Sequence, residues 1–139
     1  MRLVIDTNVL ISALLSGTSL PAHLIVLWRE GRFDLLTSAK QLDELMRVTR
    51  YPRIRERLSP ALAGRLINEI RDIATVIDRL PVVIVSPDPD DNELLAIAQA
   101  GAADFLVTGD KRDLLAIARH AGTRIMSVRD FLALHRRLP

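Results

Sequence analysis

Four aspartates stand out because each one follows a predicted strand or opens a predicted helix. Asp6 comes directly after the apolar run Leu3–Ile5, and Asp91 opens a helical segment in SPDPDDNELLAIA. Asp110 and Asp113 follow another apolar run in FLVTGDKRDLL. Each alone could cap or stabilise the first turn of the next helix. Several carboxylates gathered at one place, however, repel one another unless a cation or a shared proton compensates.

The available ligand types predict a hard metal ion rather than zinc. The chain has no cysteine, and His23, His120 and His135 lie far apart in the sequence. Carboxylate oxygens are the ligands that Mg²⁺ and Mn²⁺ prefer. Because such ions activate a bound water and neutralise charge on a phosphate, the acidic set predicts phosphoryl chemistry.

The elements that would position these acids alternate along the chain. Longer segments of helical period separate five short β-branched or leucine-rich runs: Leu3–Ile5, Phe33–Thr37, Val82–Val85, Phe105–Thr108 and Arg124–Ser127. This alternation is typical of an α/β fold with a parallel sheet and helices on both faces. In such a sheet the carboxyl ends of the strands meet at one edge, where ligands bind at the topological switch point. A further helix is predicted from Pro60 to about Ile77.

Length and composition predict one globular domain over residues 1–139, with 49% hydrophobic and 26% charged residues. No uncharged apolar run reaches the roughly 18 residues that a membrane span requires. The apolar N-terminal stretch contains Asp6 and lacks a small-residue cleavage site, so it does not resemble a secretory signal. We therefore expect a cytoplasmic protein without a membrane association.

Positive charge is concentrated in the segment RVTRYPRIRER, and the chain has 17 arginines but only two lysines. Arginine pairs bidentately with phosphate, so Arg50, Arg53 and Arg55 are candidate nucleic-acid contacts. The alternative is a solvated loop and helix start. Arg112, Arg136 and Arg137 form a second candidate path for a nucleic acid.

Four motifs resemble those of the PIN-domain ribonucleases in order and approximate spacing. They are LVIDTN, Glu44 within TSAKQLDELMRV, DPDDNELLAIA and TGDKRDLL. The resemblance runs from Leu3 to about Phe131 and is closest to the bacterial branch of VapC-like toxins of toxin-antitoxin systems. It implies a three-layer α/β/α sandwich with a central parallel sheet of four to five strands, an acidic pocket for Mg²⁺ or Mn²⁺, and endonucleolytic cleavage of RNA.

The resemblance also assigns roles to individual residues. Asp6 matches the first-strand aspartate, Glu44 the second-motif glutamate and Asp91 the third-motif aspartate. Asp110 and Asp113 share the fourth motif, and which of them binds the metal directly is left open, as is the choice between one ion and two.

Two further residues match supporting positions, and four acids near the second and third motifs have more than one possible role. Thr108 matches the hydroxyl residue before the fourth motif, and Asn8 is expected to orient Asp6 by hydrogen bonding. Glu44 lies off the apolar stripe of its helix, which fits a pocket rim or a solvated residue, and Asp43 is the alternative to it. Asp88 and Asp90 are interpreted first as turn residues.

The implied reaction is water attack on an RNA phosphodiester, which leaves 5′-phosphate and 3′-hydroxyl ends, with Glu44 holding a water or acting as a base. The expected partners are RNA, a cognate antitoxin that binds by a helix in an apolar groove, and a second copy of the chain. The homodimer is expected to use apolar residues of the first helix, such as Leu14 and Leu15, and the long helix from Pro60 to Ile77. A haloacid-dehalogenase-type phosphatase is a rival interpretation, but its second aspartate would fall where Asn8 stands. A non-catalytic PIN-fold module that binds RNA or protein is the other rival.

Overall fold

A computed structural model describes residues 1–109 and 111–135 as a six-stranded sheet flanked by helices. In chain order the elements are β1 (Arg2–Ile5), α1 (Thr7–Leu15), α2 (Leu20–Arg29), β2 (Asp34–Thr37), α3 (Ala39–Thr49), α4 (Pro52–Arg55), α5 (Pro60–Ile73), β3 (Thr75–Val76), α6 (Pro89–Ala100), β4 (Phe105–Thr108), α7 (Arg112–Ile117), β5 (Arg119–His120), β6 (Thr123–Ser127) and α8 (Val128–His135).

The strands lie in the order β3-β2-β1-β4-β6-β5, and only the β5–β6 pair is antiparallel. The chain moves outward in one direction from β1 to β2 and β3, and in the other direction from β4 to β6. The switch point therefore lies between β1 and β4, where Ile5 pairs with Val107. This places Asp6 and Thr108, the residues at the carboxyl ends of the two strands, side by side.

Two separate hydrophobic cores cover the two faces of the sheet. Alternate strand residues, such as Leu3 and Ile5 on one face and Val4 on the other, point into different cores. Buried residues of α1, α2, α3, α5 and α8 fill the first core, and those of α6 and α7 fill the second. The predicted α/β/α sandwich with a mainly parallel sheet is confirmed, with two additional two-residue strands at the sheet edges.

The predicted strand at Val82–Val85 is wrong. This segment has no strand pairing, and its side chains alternate between solvent and the second core: Val82 is 89% and Ile84 is 86% exposed, whereas Val83 packs inward. A strand of a parallel sheet is normally covered on both faces, and this segment is covered on one. The position beside β2 is filled instead by β3, where Thr75 pairs with Leu36.

The helix predicted from Pro60 to about Ile77 ends earlier, at Ile73. Ser59 caps it as an N-cap, accepting a hydrogen bond from the Ala61 amide. Ala74 has an extended backbone, and the β-branched residues Thr75 and Val76 leave the helix to extend the sheet.

Among the described residues no single helix is long and apolar enough to cross a membrane. Within residues 1–109 and 111–135, α1 and α2 together have the length and apolar composition of a span, but they are bent by 100° at their junction.

Candidate active site

Asp6 occupies the end of β1 at the switch point and is almost completely buried, with 4% of its surface exposed. One carboxylate oxygen caps α1 by accepting a hydrogen bond from the Asn8 amide at 3.2 Å, and the other accepts one from Thr108 Oγ1 at 2.8 Å. Burial raises the pKa of Asp6 above its ordinary value, against the opposing effect of these bonds and of the Lys111 charge. The carboxylate is therefore held in a fixed orientation, but its hydrogen bonds and the Lys111 charge do not fully offset the cost of burying its negative charge.

Asp91 lies in the first turn of α6 and is fully buried. Its Oδ2 accepts a hydrogen bond from Ser86 Oγ at 2.9 Å, and its Oδ1 lies 2.5 Å from Lys111 Nζ. The neighbouring Asn92 fastens the same segment, since its side chain bonds both the amide and the carbonyl of Ser86. The third-motif aspartate is thus fixed by two side chains that approach it from different elements.

The positively charged ammonium of Lys111 lies among the acids of the site. Its Nζ bridges Asp91 and Asp88, the latter at 2.9 Å, and its side chain is 30% exposed. Partial burial alone would lower the pKa of Lys111, but the bonds to Asp91 and Asp88 and the charge of Asp6 outweigh it and raise that pKa. The ammonium is therefore firmly protonated in this arrangement.

Glu44 lies on α3, half-buried, and faces the same space as Asp6. Burial raises its pKa, and the negative charges of Asp90 and Asp6 raise it further. Gln41, one turn earlier on the same helix face, is buried and donates to the Ile5 carbonyl at 2.7 Å. Its Oε1 accepts a hydrogen bond from Thr37 Oγ1 at 2.6 Å, so Gln41 joins α3 to the ends of β1 and β2.

These side chains surround a cavity of about 90 Å³, which we call the acidic pocket. Among the described residues that line it, four are acids and Lys111 is basic. The lining consists of Asp6, Thr7, Asn8, Gln41, Glu44, Asp90, Glu93, Leu94 and Lys111.

The structure brings some predicted site residues together and separates others. Asp6 and Glu44 line the acidic pocket, and Asp91 contacts it through Lys111. Asp113 is exposed in the first turn of α7 and does not line the pocket. Asp110, like Arg136 and Arg137, lies outside residues 1–109 and 111–135.

The structure also shows the positions of Asn8, Asp43 and Asp88. Asn8 hydrogen-bonds to Asp6, and it does so through its backbone amide. Asp43 is exposed and lies beside Arg47 and Arg50, away from the acidic pocket, so Glu44 is the acid of α3 that faces it. Asp88 does cap α6 as a turn residue, accepting from the Asp90 amide at 2.9 Å, but it also binds Lys111.

Sequence reasoning missed Lys111, Gln41 and Glu93. Glu93 lies three residues after Asp90 on one face of α6, and Ser38 Oγ donates to its Oε1 at 3.0 Å. Gln41 precedes Glu44 by the same spacing. The spacing of three residues was the available signal for both, whereas Lys111 could be recognised only by its position within TGDKRD.

The donor chemistry of the pocket fits a hard divalent cation. Its candidate ligands are carboxylate oxygens, and the raised pKa values of Asp6 and Glu44 show that a cation there would relieve unfavourable charge. Within residues 1–109 and 111–135, no three His, Asp or Glu side chains are grouped closely enough to hold an ion by themselves. The fit therefore depends on the type of donor and on burial rather than on a preformed three-ligand geometry.

The arginine cluster begins beyond the acidic pocket, at the far end of α3. Arg50 is the C-cap residue of that helix, roughly 9 Å along the axis from Glu44 at 1.5 Å per residue. Arg53 and Arg55 belong to the short helix α4, and all three side chains are exposed. None of them forms a salt bridge with a residue in the described part of the chain. The cluster is thus open to an external anion.

Comparison with known proteins agrees with this architecture. The sequence model of the PIN domain family matches residues 2–112. The chain is also 32% identical over 124 residues to "Uncharacterized protein MJ1680" of Methanocaldococcus jannaschii, a match that covers 84% of this chain and 75% of that protein. The chain belongs to the PIN domain family, whose members are generally metal-dependent nucleases and usually use divalent ions such as Mg²⁺ or Mn²⁺.

Proposed function

We propose that this chain is a divalent-metal-dependent endoribonuclease that hydrolyses RNA phosphodiester bonds with an activated water. The observation that carries the proposal is the buried carboxylate of Asp6 at the switch point, facing a small cavity that it shares with Glu44. A carboxylate with no catalytic or binding role would be expected to lie at the surface or in a salt bridge, since burial of a charge is unfavourable.

Asp6 and Asp91 would hold Mg²⁺ or Mn²⁺, and Asp110 is the remaining candidate of the fourth motif, since Asp113 is exposed and does not line the pocket. When bound, such an ion lowers the pKa of a coordinated water and neutralises charge on the phosphate. The Thr108 hydroxyl and the Asn8 amide keep the two oxygens of Asp6 in fixed directions. Glu44, whose pKa is raised, is suited to accept a proton from the attacking water or to position it.

The acidic pocket is small, about 90 Å³, and polar side chains form most of its lining. Such a lining suits a charged phosphate group better than a nucleobase. We therefore expect the scissile phosphate to enter the pocket, with Arg50, Arg53 and Arg55 placed to follow the RNA backbone outward.

The test is cleavage of unstructured RNA with Mn²⁺ by the wild type, Asp6→Asn and Asp43→Asn. We expect the wild type and the exposed control Asp43→Asn to cleave equally, leaving 5′-phosphate ends, and Asp6→Asn to be inactive. Activity of Asp6→Asn at the normal rate would refute the metal site. Turnover of a phosphomonoester without RNA cleavage would favour the phosphatase, and RNA binding without cleavage would favour the binding module.

We further propose that the nuclease is the toxin of a cytoplasmic toxin-antitoxin pair, in line with its resemblance to the VapC-like branch. Induction of the wild-type chain should then arrest growth, whereas induction of Asp6→Asn should not. Unchanged growth with the active enzyme would argue for an RNA-processing role instead. A small reading frame immediately upstream would identify the candidate antitoxin.

We also propose that the chain forms a homodimer through the apolar groove between α1, α2 and α5. Leu14, Ile25 and Leu66 line this groove, and Val26 and Leu62 at its rim are 45% and 49% exposed. Surface of this kind is favourable to bury against a second copy. Light scattering at micromolar concentration should give twice the chain mass, and Leu62→Glu should give the single mass. A wild-type monomer would refute the dimer.

A further inference from the structure

Lys111 occupies the position beside Asp91 that a metal ion would need. Ser86 holds Oδ2 of Asp91 at 2.9 Å, so Oδ1 is the oxygen left for another partner, and Lys111 Nζ lies 2.5 Å from it. Mg²⁺ binds carboxylate oxygens at about 2.0–2.1 Å. An ion at that distance and an ammonium at its present position would be two cations on the same oxygen, which is strongly unfavourable.

The same ammonium compensates the acids when no ion is bound. Asp91 is fully buried, and a buried carboxylate without a partner is strongly destabilising. Lys111 also contacts Asp88, and its charge acts on Asp6 across the pocket. Since 30% of its side chain is exposed, solvent lies next to the position that it occupies.

We propose, on the basis of the metal-dependent function above, that Lys111 is a built-in cation of the acidic pocket that a divalent ion must displace from Asp91. In the metal-free protein Lys111 neutralises Asp91 and Asp88 and keeps the site folded. On metal binding its side chain moves into solvent. Lys111 is thus a positioning residue that sets the metal affinity of the site and prevents the empty pocket from accumulating unpaired negative charge.

The chain contains only two lysines, which makes a direct test possible. Wild-type protein is treated briefly with acetic anhydride, with and without saturating Mn²⁺, and acetylation of Lys111 and Lys40 is measured by mass spectrometry. Lys40 is exposed on α3 and serves as the internal control. We expect Mn²⁺ to raise the acetylation rate of Lys111 about tenfold or more, because its side chain is only 30% exposed while the two carboxylates hold it and release opens the amine to the reagent. The acetylation rate of Lys40 should not change.

Calorimetric titration with Mn²⁺ gives an independent measurement. Lys111→Met removes the competing cation and should bind Mn²⁺ about tenfold more tightly than wild type, equivalent to 1.4 kcal/mol. Lys111→Arg and the exposed control Lys40→Met should bind like wild type. Without metal, Lys111→Met should melt at a lower temperature than Lys40→Met. If Lys111→Met does not fold, the acetylation of the wild type decides.

Failure of this inference and failure of the proposed function give different results. In one case Mn²⁺ binds to the wild type, but Lys111 stays protected from acetylation and Lys111→Met binds Mn²⁺ no more tightly than the wild type. That result would overturn the role of Lys111 and leave the metal site standing. No Mn²⁺ binding to either the wild type or Lys111→Met would overturn both.

Discussion

Replacing Thr108 by Val tests how firmly Asp6 is held, because valine keeps the shape of threonine and removes only the hydroxyl. The Thr108–Asp6 hydrogen bond is 2.8 Å long, and the two residues are 0% and 4% exposed, so water cannot substitute for the lost donor. A hydrogen bond to a charged group contributes about 1.5–3 kcal/mol. We expect the free energy of unfolding of the metal-free protein to fall by about 2–3 kcal/mol at neutral pH. For a chain of this length that lowers Tm by about 6–12 °C.

The loss should depend on pH with a defined sign. Burial already raises the pKa of Asp6 above its ordinary value of 3.8, and the Thr108 hydroxyl opposes that rise. Without the hydroxyl the pKa of folded Asp6 rises further, so the folded variant takes up a proton at a higher pH than the wild type does. The stability difference is therefore largest where folded Asp6 is ionised in both proteins, and it narrows as pH falls through the raised pKa of folded Asp6, first in the variant and then in the wild type.

Thr123→Val is the matched control. Thr123 is also 0% exposed, and its hydroxyl donates to the uncharged carbonyl of Ala103 at 2.7 Å. Its replacement should cost about 0.5–1.5 kcal/mol, with no dependence on pH over the same range. Urea denaturation of both variants in EDTA, at neutral and at mildly acidic pH, measures the comparison. Equal, pH-independent losses would refute the argument that Asp6 is a buried, ionised carboxylate.

Three further predictions follow from the site and its surroundings. Burial and the charges of Asp90 and Asp6 raise the pKa of Glu44. Glu44→Gln should therefore raise Tm of the metal-free protein at neutral pH. Thermal melts should show that this gain in Tm becomes smaller as pH falls through the raised pKa. Gln41→Leu leaves the Ile5 carbonyl and the Thr37 hydroxyl without their partner and should cost about 2–4 kcal/mol in urea denaturation. Replacing Arg50, Arg53 and Arg55 together by Gln should flatten the salt dependence of RNA binding by up to about 2 units of logarithmic slope. The cleavage rate at saturating RNA should not change. An unchanged RNA affinity with an unchanged salt slope would exclude these residues from the RNA path.

Local sequence pattern was sufficient to predict several features of this fold. The alternation of short apolar runs with helical segments predicted a mainly parallel sheet with helices on both faces, and the position of Asp6 after β1 predicted an acid at the switch point. The position of Asp91 before a segment of helical period predicted the first turn of α6. These features are readable because side-chain periodicity and helix capping act over only a few residues.

Local pattern was insufficient where distant segments compete for one position. Val82–Val85 has the composition of a strand, yet Thr75 and Val76 take the place beside β2 and shorten the predicted helix at Ile73. Strand pairing depends on which segment reaches the free edge, and that is a property of the whole chain path.

The contacts inside the acidic pocket depend on packing between residues that are distant in the sequence. Asp6 and Thr108 are 102 residues apart in sequence and meet because β1 and β4 are neighbours. Lys111, at the start of α7, contacts Asp91 and Asp88 at the start of α6. Burial, the pKa shifts and the pairing of a lysine with the third-motif aspartate all arise from this packing, since desolvation and charge act through space rather than along the sequence.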